Sequence, residues 1–192
     1  MQANDNELVH RFLSGDEDAF LQLVEKYKHP IVNFITMMIG DYDLAADLSQ
    51  ETFLRVYRNI GSYKSTFQFS TWIYKIASNL AIDELRWRKR RGISRRSSAE
   101  IESEERSEPV VIDTAPGPEA STIDSQYRKL LNEAIRSLPA RYRSVFVLKE
   151  VEEMEYEKIA EVLKCSVGTV KSRLHRAKSL LKKKLAPYWR AV

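Results

Sequence analysis

Two stretches of this chain concentrate side chains suited to handling an anionic polymer. In the first, "SYKSTFQFSTWIYKIASNLAIDELRWRKRR", the rings of Tyr63, Phe67, Phe69, Trp72 and Tyr74 fall within twelve positions. Around them lie Lys64, Lys75, Arg86, Arg88, Lys89, Arg90 and Arg91. Rings interleaved with cations suit a separated nucleic-acid strand: the rings stack on unpaired bases and the cations hold the phosphates. Stacking contributes ~1–3 kcal/mol per base. Capture of a few bases therefore offsets much of the cost of unpairing them. Trp72 is expected to serve the core in part, which leaves Tyr63, Phe67 and Phe69 as the freer rings.

The second stretch, "CSVGTVKSRLHRAKSLLKKKL", contains no carboxylate, although the chain has 27 acidic residues and its last acid is Glu161. Val167, Val170, Leu174, Ala177 and Leu181 repeat at spacings of three and four, the mark of one buried helical stripe. Opposite lie Thr169, Ser172, His175 and Arg176, flanked by Lys171 and Arg173. Ser166 is a good N-cap, and "EYEKIAEVLK" before it places Tyr156, Ile159, Ala160 and Leu163 on one face of a short helix. A short helix, a tight turn at Lys164–Ser166 and a second helix with a basic outer face predict a helix-turn-helix. A carboxylate on a helix lodged in the major groove would meet phosphate on both sides, which accounts for the missing acids. An ordinary solvated lysine-rich helix is the competing reading; cap, turn, stripe and acid depletion together favour DNA.

The elements that must carry these residues read as helical throughout. The chain has 192 residues, 43% hydrophobic and 30% charged, with a net charge of +4. That is enough for one ordinary domain or two small ones. Apolar periodicity marks helices around Leu8–Leu13, Ala19–Ile35 (with a kink expected at Pro30), Leu44–Ile60 and Trp72–Leu85. No run alternates with period two for long enough to predict a sheet. From Ser97 to Ala120 the pattern breaks: seven acids, three prolines and few large apolar groups predict a linker. Helical periodicity returns from Ile123 to Leu138, and Pro139 restarts the chain at an expected first-turn position. The fold class expected is all-α: two small helical domains, 1–95 and 122–192, joined by a flexible acidic linker, 96–121.

Several functions are disfavoured. Cys165 stands alone, so no internal disulfide or cysteine metal site forms, and it reads as a small packing residue in the turn. His10, His29 and His175 form no zinc-type pair, and neither a phosphate-cradling loop nor a nucleophile elbow is present. No catalytic centre, metal or cofactor is expected. The N-terminus lacks a signal-peptide layout and "IVNFITMMIG" is too short to span a bilayer, so a cytoplasmic protein is expected. A phosphorylation-controlled regulator would share the helix-turn-helix but needs a βαβ receiver where this chain is helical and aromatic. A structural adaptor that only tethers a partner would have no use for an acid-free recognition helix.

The segment "LPARYRSVFVLKEVEEMEYEKIAEVLKCSVGTVKSRLHRAKSLL" resembles the C-terminal domain of sigma-70 family transcription initiation factors, particularly the extracytoplasmic-function (group IV) class. "DLAADLSQETFLRVYRNI" is similar to that family's core-polymerase-binding helix, and "FSTWIYKIASNLAIDELRWRKRR" to its promoter-melting segment. The resemblance implies a factor that binds core RNA polymerase, directs it to promoters with −10 and −35 elements and helps melt the −10 region. In "DLSQETFLRVYRNI" the apolar stripe leaves Asp47, Gln50, Glu51, Leu54 and Arg58 facing outward; the resemblance assigns this face to the clamp helices of the largest polymerase subunit. It also implies that the loop around Ser62–Phe69 captures a flipped −10 base, with Asn79 and Asp83 as polar readers beside Lys75 and Arg86. Thr169, Lys171, Ser172, Arg173, His175 and Arg176 then meet the −35 duplex. An anti-sigma protein is a further partner within the family.

Overall fold

The computed structural model describes residues 4–92 and 122–189, with side chains from 128 to 188 in the second segment. The acidic linker expected over 96–121 lies outside the described residues. Four helices make up the first segment: α1 (Asp5–Leu13), α2 (Glu17–Ile39), α3 (Tyr42–Asn59) and α4 (Phe69–Arg90), with a 3-10 turn at Ile60–Ser62. The second holds α5 (Thr122–Arg136), α6 (Ala140–Glu150), α7 (Tyr156–Val162) and α8 (Val167–Trp189).

Helix starts follow local chemistry. Asp16 caps α2 by accepting from the Ala19 amide, and Asp41 caps α3 by accepting from the Leu44 amide at 3.1 Å. Each carboxylate also sits well against the helix dipole. Burial pushes the Asp41 carboxyl upward, but the Leu44 amide and the Arg88 guanidinium outweigh it and hold the group below its ordinary value. The Arg88 pair, at 3.0 Å, ties the end of α4 to the start of α3. Pro30 lies inside α2, which continues through it as one helix. Pro139 occupies the N-cap of α6, one residue ahead of the first-turn position expected.

The first three helices and α4 pack around Leu23, Ile31, Phe34, Val56, Phe69 and Ile73, all buried. Helix α1 closes one edge through Leu8 and Val9, and its Phe12 ring meets Phe20 and Tyr57 at 5.2 and 5.4 Å. In the second segment Val145, Leu148, Ile159, Val170 and Ala177 form the centre.

The two segments are docked on each other. Buried Arg143 of α6 donates to the Met38 carbonyl at the end of α2 and to the Arg136 and Leu138 carbonyls of its own segment. Desolvation, with repulsion from Arg136, lowers its pKa to about 10, so it remains charged at neutral pH. Arg136 donates to the Gly40 carbonyl at 3.2 Å. Gly40 ends α2 at φ +84, a left-handed backbone conformation that favours glycine. Tyr74 of α4 donates its hydroxyl to Glu152, just after α6. Tethered domains were expected; extensive packing between them is the structure's addition.

Candidate polymerase and nucleic-acid interfaces

On α3 the side chains of Ala45, Ser49, Thr52 and Val56 are buried, and this sets which residues point outward. Asp47, Gln50 and Arg58 are exposed, Leu54 is 48% exposed, and Glu51 is half-buried. Glu51 pairs with Arg55 at 2.7 Å, one helical turn on. Arg55 was not among the sequence candidates; its spacing of four from Glu51 was the available signal. The result is an outward acidic and amide face with a leucine in its middle.

The aromatic stretch is sorted differently from expectation. Phe69 starts α4 and is only 1% exposed, packed against Tyr27, Tyr63 and Trp72 at 5.4, 5.8 and 5.9 Å. It is an anchor of the core and offers no free ring. Tyr63 is half-buried: its ring lies against Trp72 at 5.3 Å, and its hydroxyl sits between Asn6 Oδ1 (2.7 Å) and the Phe67 carbonyl. Phe67 alone of the three expected free rings is exposed, at 51%. It stands in a turn closed by its own amide on the Lys64 carbonyl at 3.0 Å. The reason is positional: Phe69 enters the helix on its inward face, while Phe67 precedes the helix and is left half exposed.

Along α4, Trp72, Ile76, Asn79, Asp83 and Arg86 follow one another at spacings of four and three, so they share a face. Trp72, Ile76 and Asn79 line an open depression of about 290 Å3 together with Arg55, Asn59 and Ser62. Lys75 is half-buried beside this stripe, whereas Asn79, Asp83 and Arg86 are exposed. Asp83 pairs with Arg86 at 3.2 Å. Arg91 stacks on the Trp87 ring at 4.2 Å, which extends the cationic end of the helix. The structure thus brings Trp72 and Asn79 together with Ser62 of the 3-10 turn and adds Arg55 and Asn59 from the end of α3.

The helix-turn-helix has the expected cap and, from Val170 on, the expected buried stripe. Val170, Leu174, Ala177 and Leu181 are buried under α8. Ser166 accepts from the Thr169 amide at 3.1 Å and exchanges a hydroxyl hydrogen bond with Thr169 at 2.9 Å. Lys171, Ser172, His175 and Arg176 are exposed, and Thr169 and Arg173 are half-buried. Lys164 in the turn has φ 50, which lets α7 turn into α8 over four residues, Leu163 to Ser166. Cys165 packs partly buried against the core. Tyr156, at the start of α7, carries the Lys149 and Lys171 ammonium groups over its ring at 5.0 and 5.6 Å.

Residues 23–91 match sigma-70 region 2, and residues 128–181 match sigma-70, region 4. The chain is 37% identical to the ECF RNA polymerase sigma factor SigW of Bacillus subtilis over 92% of its length and 94% of the relative's. The chain belongs to the ECF sigma-factor family. The RNA polymerase sigma-H factor of Pseudomonas aeruginosa is 35% identical, with 98% of this sigma factor and 97% of the relative covered. Two solved structures share the fold at 21% identity. One is the sigma factor RpoE of Bartonella quintana, solved with the anti-sigma factor NepR (TM-score 0.65, covering 87% of this chain and 96% of that one). The other is CnrH, solved with the cytosolic domain of CnrY (TM-score 0.69, 95% and 97%). This sigma factor is therefore a promoter-specific transcription initiation factor that binds RNA polymerase. Among the described residues no helix is long and apolar enough to cross a membrane.

Proposed function

We propose that the three interfaces divide the work of initiation, each acting by binding and none by catalysis. The outward face of α3, with Asp47, Gln50, Glu51, Leu54 and Arg58, docks on the clamp helices of the largest polymerase subunit. The turn carrying Phe67 and the stripe Trp72–Asn79–Asp83–Arg86, flanked by Lys75, receive the unpaired strand at the −10 element. Helix α8 reads the −35 duplex with Lys171, Ser172, His175 and Arg176. The observation that carries this reading is the half-exposed Phe67 ring on the turn that leads into a helix whose last turn holds Arg88, Lys89 and Arg90, with Arg91 at its cap. An exposed ring ahead of a cationic helix supports single-strand capture, because stacking tolerates any base and the charges attract the backbone.

The two promoter elements lie about 25 base pairs apart, roughly 85 Å of duplex at 3.4 Å per pair. A compact chain of this length has a radius of gyration of about 16 Å. One docked molecule does not reach both elements, so the Arg143–Met38 and Tyr74–Glu152 contacts part when polymerase and promoter are engaged. An anti-sigma protein is a further partner; the structural neighbour RpoE, solved with the anti-sigma factor NepR, supports it.

The test uses reconstituted holoenzyme on a duplex promoter and on one already mismatched across the −10 region. Phe67→Ala is expected to lose most transcription from the duplex and to recover part of it on the mismatched template, with core binding unchanged. Charge reversal at Asp47 and Glu51 is expected to fail on both. Rescue of those reversals by the mismatch would overturn the assignment.

A further inference from the structure

Helix α1 precedes the segment that matches sigma-70 region 2, yet it reaches the turn that presents Phe67. Asn6, in the first turn of α1, places Oδ1 2.7 Å from the Tyr63 hydroxyl and its Nδ2 3.5 Å from the Ser65 carbonyl. The same Tyr63 hydroxyl lies against the carbonyl of Phe67. The neighbouring Asp5 accepts from the Tyr27 hydroxyl at 2.6 Å and pairs with Lys26 at 2.5 Å, which pins the start of α1 to α2. Tyr27 in turn packs against Phe69, the buried residue at which the turn ends. A residue 57 positions away in sequence therefore holds the turn at Tyr63 and at Ser65, while Phe69 anchors its exit.

We infer that α1 splints the strand-capturing turn, with Asn6 and Tyr63 as positioning residues that fix where the Phe67 ring stands. The inference rests on the reading that Phe67 stacks on an unpaired base. A platform that is already ordered loses less conformational freedom when the base arrives, so more of the stacking energy goes into opening the duplex. Tyr63, whose ring is committed to Trp72 and whose hydroxyl is shared between Asn6 and the Phe67 carbonyl, acts through Phe67 and is not itself a stacking platform.

A double-mutant cycle decides the matter. Reconstituted holoenzyme carrying Asn6→Ala is expected to open a duplex promoter about fivefold less well, the equivalent of one ordinary hydrogen bond. Core affinity and the melting temperature of the free factor are expected to stay unchanged. Tyr63→Phe, which keeps the ring and removes the hydroxyl, should give a similar loss. In a Phe67→Ala background, Asn6→Ala should add nothing, because the residue it positions is gone. Full additivity, or a loss that tracks a fall in melting temperature, overturns the splint. Amide hydrogen exchange gives a second readout that is independent of transcription. The Phe67 amide, bonded to the Lys64 carbonyl, is expected to exchange faster in both Asn6→Ala and Tyr63→Phe. Unchanged exchange overturns the splint even if Phe67 matters. If Phe67→Ala leaves promoter opening intact, the base-capture reading falls, and exchange alone decides whether α1 holds the turn.

Discussion

The helix-turn-helix and the aromatic turn both face nucleic acid in the proposed function, yet they are built on opposite plans. In α8 every determinant lies on one helix: Ser166 caps it, Val170, Leu174, Ala177 and Leu181 seat it, and Lys171, Ser172, His175 and Arg176 face out. The turn before α4 borrows its shape from elsewhere. Asn6 comes from α1, Tyr27 from α2, and the wall of the nearby depression includes Arg55 and Asn59 from the end of α3. A locally specified surface withstands changes in other elements. One assembled from several helices responds to substitutions far from it in sequence.

The sharpest way to break that contrast is to compare the two phenylalanines of the turn. Phe69→Ala removes a buried ring and is expected to cost about 3–5 kcal/mol of stability by urea unfolding. Phe67→Ala is expected to shift stability by no more than about 0.5 kcal/mol, while transcription from the duplex collapses. Equal destabilisation by both would show that Phe67 is structural.

Next in size is the docking of the two segments. Arg143→Ala strands the Met38, Arg136 and Leu138 carbonyls and is expected to cost about 3 kcal/mol, seen as a lower urea midpoint. It is also expected to increase the mean distance between fluorophores placed on α2 and α8. Arg143→Lys should rescue little, since one ammonium lacks the planar fork that serves several acceptors. An unchanged distance in Arg143→Ala would mean that the apolar contacts hold the docked form without it.

In the helix-turn-helix, Arg176→Ala and Ser172→Ala are expected to cost on the order of 1–3 kcal/mol in discrimination at the −35 element where a base contact is lost. Lys182→Ala and Lys183→Ala should weaken all promoters alike and flatten the salt dependence. Identical promoter profiles for the two classes would remove base readout from α8.

The smallest effect is a pH dependence. Burial lifts the Glu152 carboxyl above its ordinary value of 4.5, and the Tyr74 hydroxyl offsets this only in part. The folded state then holds the proton longer than the unfolded one. Glu152's contribution is full below about 4.5 and is lost as pH rises through its raised folded value. Stability of the docked form is expected to fall across that window. Glu152→Gln should remove this component, measured as the difference in urea midpoint between the two proteins at each pH. A wild-type profile parallel to that of Glu152→Gln would exclude the carboxyl as its source.

How much of this was legible in sequence depends on where the determinants lie. Helical period, caps and acid depletion are local quantities, and they carried the all-α class, the outward face of α3 and most of the buried stripe of α8, whose Val167 is only half-buried and whose helix runs on to Trp189. A helix with one buried stripe has only one side left to solvent, so naming the stripe names the exposed face. The acidic segment expected over 96–121 is read from composition alone and lies outside the described residues. What tertiary structure alone decided was the sorting of near-identical rings two positions apart. Phe67 and Phe69 have the same side chain, and only the helix start at Phe69 turns one ring inward and leaves the other outside. The partner of Tyr63, the carbonyls around Arg143 and the Glu152 acceptor for Tyr74 lie 57, 105 and 78 residues away at their farthest. Contacts across such separations leave no periodic trace in a single chain, because packing selects them only after the helices have formed.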